Sequence, residues 1–212
     1  MQIVSLNIAT RKPITWRGKT WETGIFKKET NQAIFLTKTG VKSDAVVDLK
    51  HHGGRDKAVY AFSKSHYPFF KKQFPKINFS NGIFGENLTI DNLDEKKIHI
   101  GDIFRVGEAL IQVSQPRLSC KTLNAVFQSD LMMKLFINTT FSGVYFSVLQ
   151  EGFVQPNDSF ELVNQNKEAL TVATVYSLFT YNKTNRSLIT KALSLEALSP
   201  SLKKDIQRKL LI

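Results

Sequence analysis

The 212-residue chain holds a single cysteine, Cys120. This excludes an intramolecular disulfide and an iron–sulfur cluster, and it fits a reducing compartment. No uncharged apolar run approaches the roughly 18 to 20 residues of a membrane span. The opening MQIVSLNIAT has neither the basic start nor the apolar block of a signal peptide, so a cytoplasmic location without a membrane partner is expected. Also missing are a Gly-rich dinucleotide fingerprint, a P-loop and a Ser nucleophile elbow. Any redox chemistry therefore needs an added cofactor and an external electron source. Acidic residues are few, 18 against 29 basic, for a net charge of +11. The excess is divided between the two ends, +6 in residues 1–60 and +5 in residues 164–212, while residues 101–163 carry −2. With no RNA-binding aromatic motif or zinc-finger spacing beside it, this distribution argues against a nucleic-acid partner and leaves room for a small anionic ligand.

What is present is the composition of an ordinary globular protein, 42% apolar and 22% charged, with sixteen Phe for aromatic packing. The first two thirds reads as short strands. Val4, Leu6 and Ile8 alternate with polar residues, and Ile14 to Trp16 and Thr20 to Glu22 flank an Arg17-Gly18 turn suited to a hairpin. Further β signals are Ala33–Thr37, Ala45–Leu49, Ala58–Phe62, Asn87–Ile90, Ile103–Val106, Leu110–Ser114, Val144–Leu149 and Phe160–Val163. Strands at this spacing, without regular βαβ alternation, predict a mainly β fold of barrel or sandwich type. Helical inserts are expected near Ser65–Phe74, with Pro68 in the first turn, and between Lys121 and Ile137. After the polar break Asn164–Lys167 the period changes. Val172, Val175, Tyr176 and Phe179, then Leu188 to Leu193, then Leu198, Leu202, Ile206 and Leu210 predict three helices, with Ser199-Pro200 starting the last. A β-barrel over 1–163 and a three-helix domain over 164–212 is the expected division.

Three segments carry residues suited to chemistry. Cys120 follows an apolar strand and precedes a helix, between Arg117 and Lys121, a setting that lowers a thiol pKa; a lone Cys is also a common buried small hydrophobe. Asp48 to Ala58 joins His51, His52, Gly53, Gly54, Arg55, Asp56 and Lys57. Its glycines permit positive φ and close ligand approach and its cations suit an anion, although such a turn is as often a plain solvated loop. A zinc site from His51, His52, Asp56 and Cys120 is conceivable but geometrically awkward for adjacent histidines. Phe84 to Leu88 is a glycine turn entering a strand.

The order His51-His52-Gly53-Gly54, Asp56-Lys57-Ala58, Gly85-Glu86-Asn87-Leu88, Gly101-Asp102, then Val113 to Arg117 and Cys120 resembles the MOSC family, named for the C-terminal domains of molybdenum cofactor sulfurases, and within it the YiiM-like branch. Three places depart from the usual pattern: Ser119 where a Pro often precedes the Cys, Phe141 within Thr140–Gly143 where an Arg is common, and Ser147 where an Arg is frequent. The resemblance implies a MOSC-type β-barrel with helical inserts and a C-terminal three-helix domain. It also implies a molybdenum cofactor with Cys120 as the metal ligand and catalytic residue. His51, His52, Gly53, Gly54, Asp56, Lys57, Asn87 and Arg117 would then bind the cofactor or border the substrate, with Asp56 and Glu86 orienting neighbours. The implied activity is reduction of N-hydroxylated compounds such as hydroxylaminopurine-type bases, a detoxification, with electrons from a flavin or flavodoxin-type partner. The alternative is a sulfur or cofactor carrier that uses Cys120 without turnover.

Overall fold

Alternating burial along the strands sets the architecture. In β-hairpin and sheet segments side chains point alternately to opposite faces, and Ala109, Ile111 and Val113 are fully buried while Leu110 and Gln112 between them are not. The computed structural model describes residues 1–210, the Lys50 side chain excepted; Leu211 and Ile212, the end of the expected helical region, lie outside the described residues. In chain order the strands are β1 (Ile3–Ile8), β2 (Lys12–Trp16), β3 (Lys19–Thr23), β4 (Lys28–Thr30), β5 (Ile34–Thr37), β6 (Gly40–Val41), β7 (Val59–Ser63), β8 (Leu88–Ile90), β9 (Ile103–Val106), β10 (Ala109–Pro116), β11 (Val144–Gln150), β12 (Gly152–Val154) and β13 (Glu161–Asn164). The helices are α1 (Leu49–His52), α2 (Tyr67–Gln73), α3 (Lys121–Val126), α4 (Leu131–Ile137), α5 (Val172–Ser177), α6 (Arg186–Ser194) and α7 (Pro200–Leu210).

Eight strands form one curled, half-barrel sheet in the order β13-β9-β10-β11-β7-β8-β1-β4. Only the β7–β8 pair in it is parallel, and the chain from α2 through the Phe84–Asn87 turn makes that crossover. A small sheet, β12-β5-β6, and the β2–β3 hairpin complete the strands. The hairpin turns at Arg17 and Gly18, both with positive φ, the twist that two-residue hairpin loops favour. One expected strand is absent. Ala45–Val47 is irregular and Leu49 opens α1, because Asp48 accepts the His51 amide at 3.1 Å as an N-cap and so starts a helical turn where hydrophobicity alone suggested a strand. Three short strands, β4, β6 and β12, carried too few alternating residues to be seen in the sequence.

Two apolar cores result. The larger joins Leu6, Leu88, Ile111, Val113 and Phe146 of the sheet to Val172, Val175, Ile189, Leu202 and Ile206 of the last three helices in one contiguous cluster. The other is aromatic: Phe70 of α2 and Phe136 of α4 pack on Phe62 of β7, Phe127 after α3 packs on Phe84, and Phe62 stacks on Phe84 at 4.3 Å. Phe141, one of the departures noted in the sequence, stacks on His66 at 3.9 Å. Between the aromatic core and the C-terminal end of β10 lies the cleft described next.

Candidate active site

β10 ends at Pro116 and only four residues separate it from α3 at Lys121, so Arg117 and Cys120 are carried by a short connection. Arg117 is only 4% exposed. Its guanidinium donates to the Phe84 carbonyl at 2.6 Å and to the Cys120 Sγ at 3.7 Å, and it lies over the Tyr60 ring at 4.8 Å. Its Nε is buried without a partner. The Phe84 carbonyl is held in place by Glu86, whose fully buried carboxylate accepts from the amides of Gly82 and Phe84, each at 3.0 Å, from Thr89 Oγ1 and from the Tyr67 hydroxyl. Burial raises the Glu86 pKa, and this ring of donors opposes that rise. Glu86 therefore fixes the turn, while its own carboxylate stays out of the cleft.

Cys120 is half-buried at the N-cap of α3. Burial pushes its pKa up, but the neighbouring His52 ring, the Arg117 charge and the Leu123 amide together bring it down to about 6. The thiolate is thus the dominant form at neutral pH. Sequence spacing pointed to Lys121 as a second cation beside the sulfur; instead its ammonium lies 5.0 Å over the Trp21 ring, and Arg117 is the cation that contacts the sulfur. His52 Nδ1 is also 3.2 Å from the Tyr145 hydroxyl, whose pKa is pushed by burial to about 12.

These groups border a cleft of about 240 Å³, lined by Trp21 and Thr23 of β3, the Ala45–Asp48 loop, His52, Lys57, Tyr60, Asn87, Arg117, Cys120, Lys121 and Tyr145. Of the sequence-derived candidates, His52, Lys57, Asn87, Arg117 and Cys120 converge here. His51, Gly53, Gly54 and Asp56 do not line it. His51 is exposed and turned onto the Asp48 carboxylate at 2.9 Å. Gly53 closes α1, its amide reaching the Leu49 carbonyl at 3.3 Å, and Gly54, at φ +89, swings the chain into the tight turn Arg55–Lys57 that brings Lys57 to the cleft. The Asp56 carbonyl accepts from Ser114 Oγ, and Ser147, where an Arg is frequent, points its hydroxyl at the Asp56 carboxylate from 3.5 Å. Among the described residues no group of three or more His, Cys, Asp or Glu side chains forms a metal-ligand cluster, so the zinc arrangement is not assembled.

Sequence reasoning missed Lys27 and Asp44. Both are almost fully buried and paired, Nζ to Oδ1 at 2.6 Å. Asp44 also accepts from the Asn87 amide at 2.9 Å and from the Ala9 backbone N–H at 2.8 Å. Burial lowers the Lys27 pKa against the pull of Asp44. The pair pins the Ala45–Asp48 wall to the sheet; no local motif announces it, since its partners come from four separate segments. Trp21, Tyr60 and Tyr145 were likewise read as strand residues.

A single soft thiolate, a buried guanidinium with an unfilled donor, and Lys57 and His52 beside them form a donor set that suits a soft metal carried on an anionic organic cofactor. Comparison with known proteins bears on which cofactor. The YflK protein of Bacillus subtilis is 37% identical over 207 residues, covering 98% of this chain and 93% of its own. A protein from Gibberella moniliformis named simply a reductase is 31% identical over 66% of this chain, which spans 26% of that much longer protein. The crystal structure of YiiM from Geobacillus stearothermophilus superposes with a TM-score of 0.82 at 32% identity, over 99% of this chain and 98% of that one. MOSC domains are associated in general with molybdenum cofactor binding, and residues 48–161, the stretch that carries α1, β7 to β11, Arg117 and Cys120, match the MOSC domain. By this match, and by YiiM-like relatives over its full length, the chain belongs to the MOSC domain family.

Proposed function

We propose that this chain is a molybdenum-cofactor-dependent oxidoreductase that reduces N-hydroxylated compounds, hydroxylaminopurine-type bases among them. The observation that carries the reading is Cys120 itself, a half-buried sulfur that accepts from Arg117 at 3.7 Å and faces a cleft it shares with Lys57, His52, Asn87 and the rings of Trp21, Tyr60 and Tyr145, where the Asp44 carboxylate is already paired with Lys27 and those of Glu22 and Asp48 also reach the lining. Cys120 would be the one protein ligand to the metal, and Arg117 would hold the thiolate charge in place. Lys57 and His52 would take the cofactor's phosphate or the substrate's polar edge. When bound, the molybdenum–pterin supplies the two-electron acceptance of oxygen that no side chain here can provide. Converting N–OH to N–H and water consumes two electrons and two protons. His52 and the Tyr145 hydroxyl lie within reach of one another and can pass a proton to the departing oxygen. The electrons must come from outside, and a flavin or flavodoxin-type protein is the proposed donor; the proposed location is the cytoplasm.

Metal analysis after expression with ample molybdate is the primary test. About one Mo per chain, lost in Cys120→Ser together with N-hydroxy reduction while the melting temperature holds, is the expected result, because a neutral hydroxyl is a poor substitute for a soft thiolate. A destabilised Cys120→Ser protein with full activity would remove the ligand assignment. A persulfide of about +32 Da on Cys120 without Mo would replace the reductase reading with a sulfur carrier.

A further inference from the structure

Both tryptophans of the chain, Trp16 and Trp21, sit on the β2–β3 hairpin, which forms no part of the main sheet. Trp21 pairs with the buried Ile14 across the hairpin and lines the cleft. Two anchors hold it there. At the tip, Arg17 is ion-paired with Asp130, the residue that opens α4. At the base, a Cβ on Gly24 would stand 1.8 Å from the Ala45 carbonyl, so hairpin and opposite wall meet backbone to backbone. The Lys121 ammonium, one residue from Cys120, lies over the indole and limits its rotation. The result is an anchored aromatic side chain on the same cleft as Cys120.

We infer that Trp21, held by Lys121, is the specificity wall of this cleft, stacking the flat ring of an aromatic N-hydroxylated heterocycle so that its N–OH group faces Cys120. The inference rests on the proposed reading of the cleft as a substrate site, and it assigns preference for planar over aliphatic N-hydroxy compounds to one side chain. Stacking acts on the ring face and is indifferent to the ring's hydrogen-bond pattern, so several planar bases should be accepted. An aliphatic hydroxylamine gains nothing from the wall.

The test has two readouts. In a Trp16→Phe protein, Trp21 is the sole tryptophan, and adenine should quench its fluorescence saturably; adding Trp21→Ala should weaken adenine binding measured by calorimetry about tenfold, while Trp21→Phe retains most of it. In the cofactor-loaded enzyme, Trp21→Ala should raise KM for hydroxylaminopurine about tenfold and leave KM for an aliphatic N-hydroxylamine and the Mo content unchanged. Absence of saturable quenching, or an equal effect of Trp21→Ala on planar and aliphatic substrates, overturns the wall. The two readings fail separately: adenine binding that depends on Trp21 in a protein without N-hydroxy reductase activity would sink the reductase and keep the wall, and turnover indifferent to Trp21→Ala would do the reverse.

Discussion

The sulfur of Cys120 is where burial and charge oppose each other most directly. Burial alone would keep it a neutral thiol, yet His52 and Arg117 bring its pKa to about 6, against roughly 8.5 in an unfolded chain. Between these two values the unfolded state binds more protons than the native one, so the cofactor-free protein should gain stability as pH rises from about 6 to 8.5 and lose that gain as pH falls through 6. Cys120→Ser should show no such slope, which urea titrations of both proteins across this range can compare. Alkylation by iodoacetamide should follow the same group, with a midpoint near pH 6. Arg117→Met or His52→Ala should move that midpoint upward; a midpoint unmoved by either would mean that another group lowers the thiol.

At the scale of an element, the Ala45–Asp48 segment shows a wall built without regular secondary structure. It has the hydrophobicity of a strand, but its place is fixed by the buried Lys27–Asp44 pair, by Asn87 and Ala9 on Asp44, and by Gly24 beneath Ala45. Removing one member of a buried ion pair strands the other, and the usual cost is about 3 to 5 kcal/mol. Lys27→Met should therefore lower the urea midpoint strongly, and Lys27→Met with Asp44→Asn should recover a good part of the loss because no unpaired charge is left. If the double variant is as unstable as the single one, charge stranding is not the cause. α7 is placed in a comparable way. Ser199 Oγ caps Leu202 at 3.1 Å while donating to the Gln115 carboxamide, so the last helix begins on the end of β10, two residues before Arg117.

Over the whole molecule, sheet and C-terminal helices share one apolar cluster. Val172, Val175, Ile189, Leu202 and Ile206 bury their faces against the sheet, and such short helices would be marginal alone. Ile206→Ala, at a fully buried position, should cost about 2 to 5 kcal/mol. The loss should appear as a downward shift of one cooperative transition seen alike by tryptophan fluorescence from the β2–β3 hairpin and by helical circular dichroism. Separate transitions, with the fluorescence change unmoved, would show that the helices unfold on their own.

Local pattern determined most of the longer elements of this protein. Period-two alternation gave most strands, the 3.6-residue period gave the last three helices, and Arg17-Gly18, Pro68 and Ser199-Pro200 marked a turn and two helix starts, because each of these signals acts over a few neighbouring residues. The motif order marked the family and put Cys120, His52, Lys57, Asn87 and Arg117 forward as candidates. Only the tertiary structure decided which of them share a space. His51 and His52 are adjacent in sequence, yet a single turn of helix sends one to Asp48 and solvent and the other to the cleft and the Tyr145 hydroxyl. Trp21, Lys27, Asp44 and Tyr145 reach the cleft from strands and loops far apart in the chain, because a curled sheet brings distant segments together by register and closure, and no local period records that.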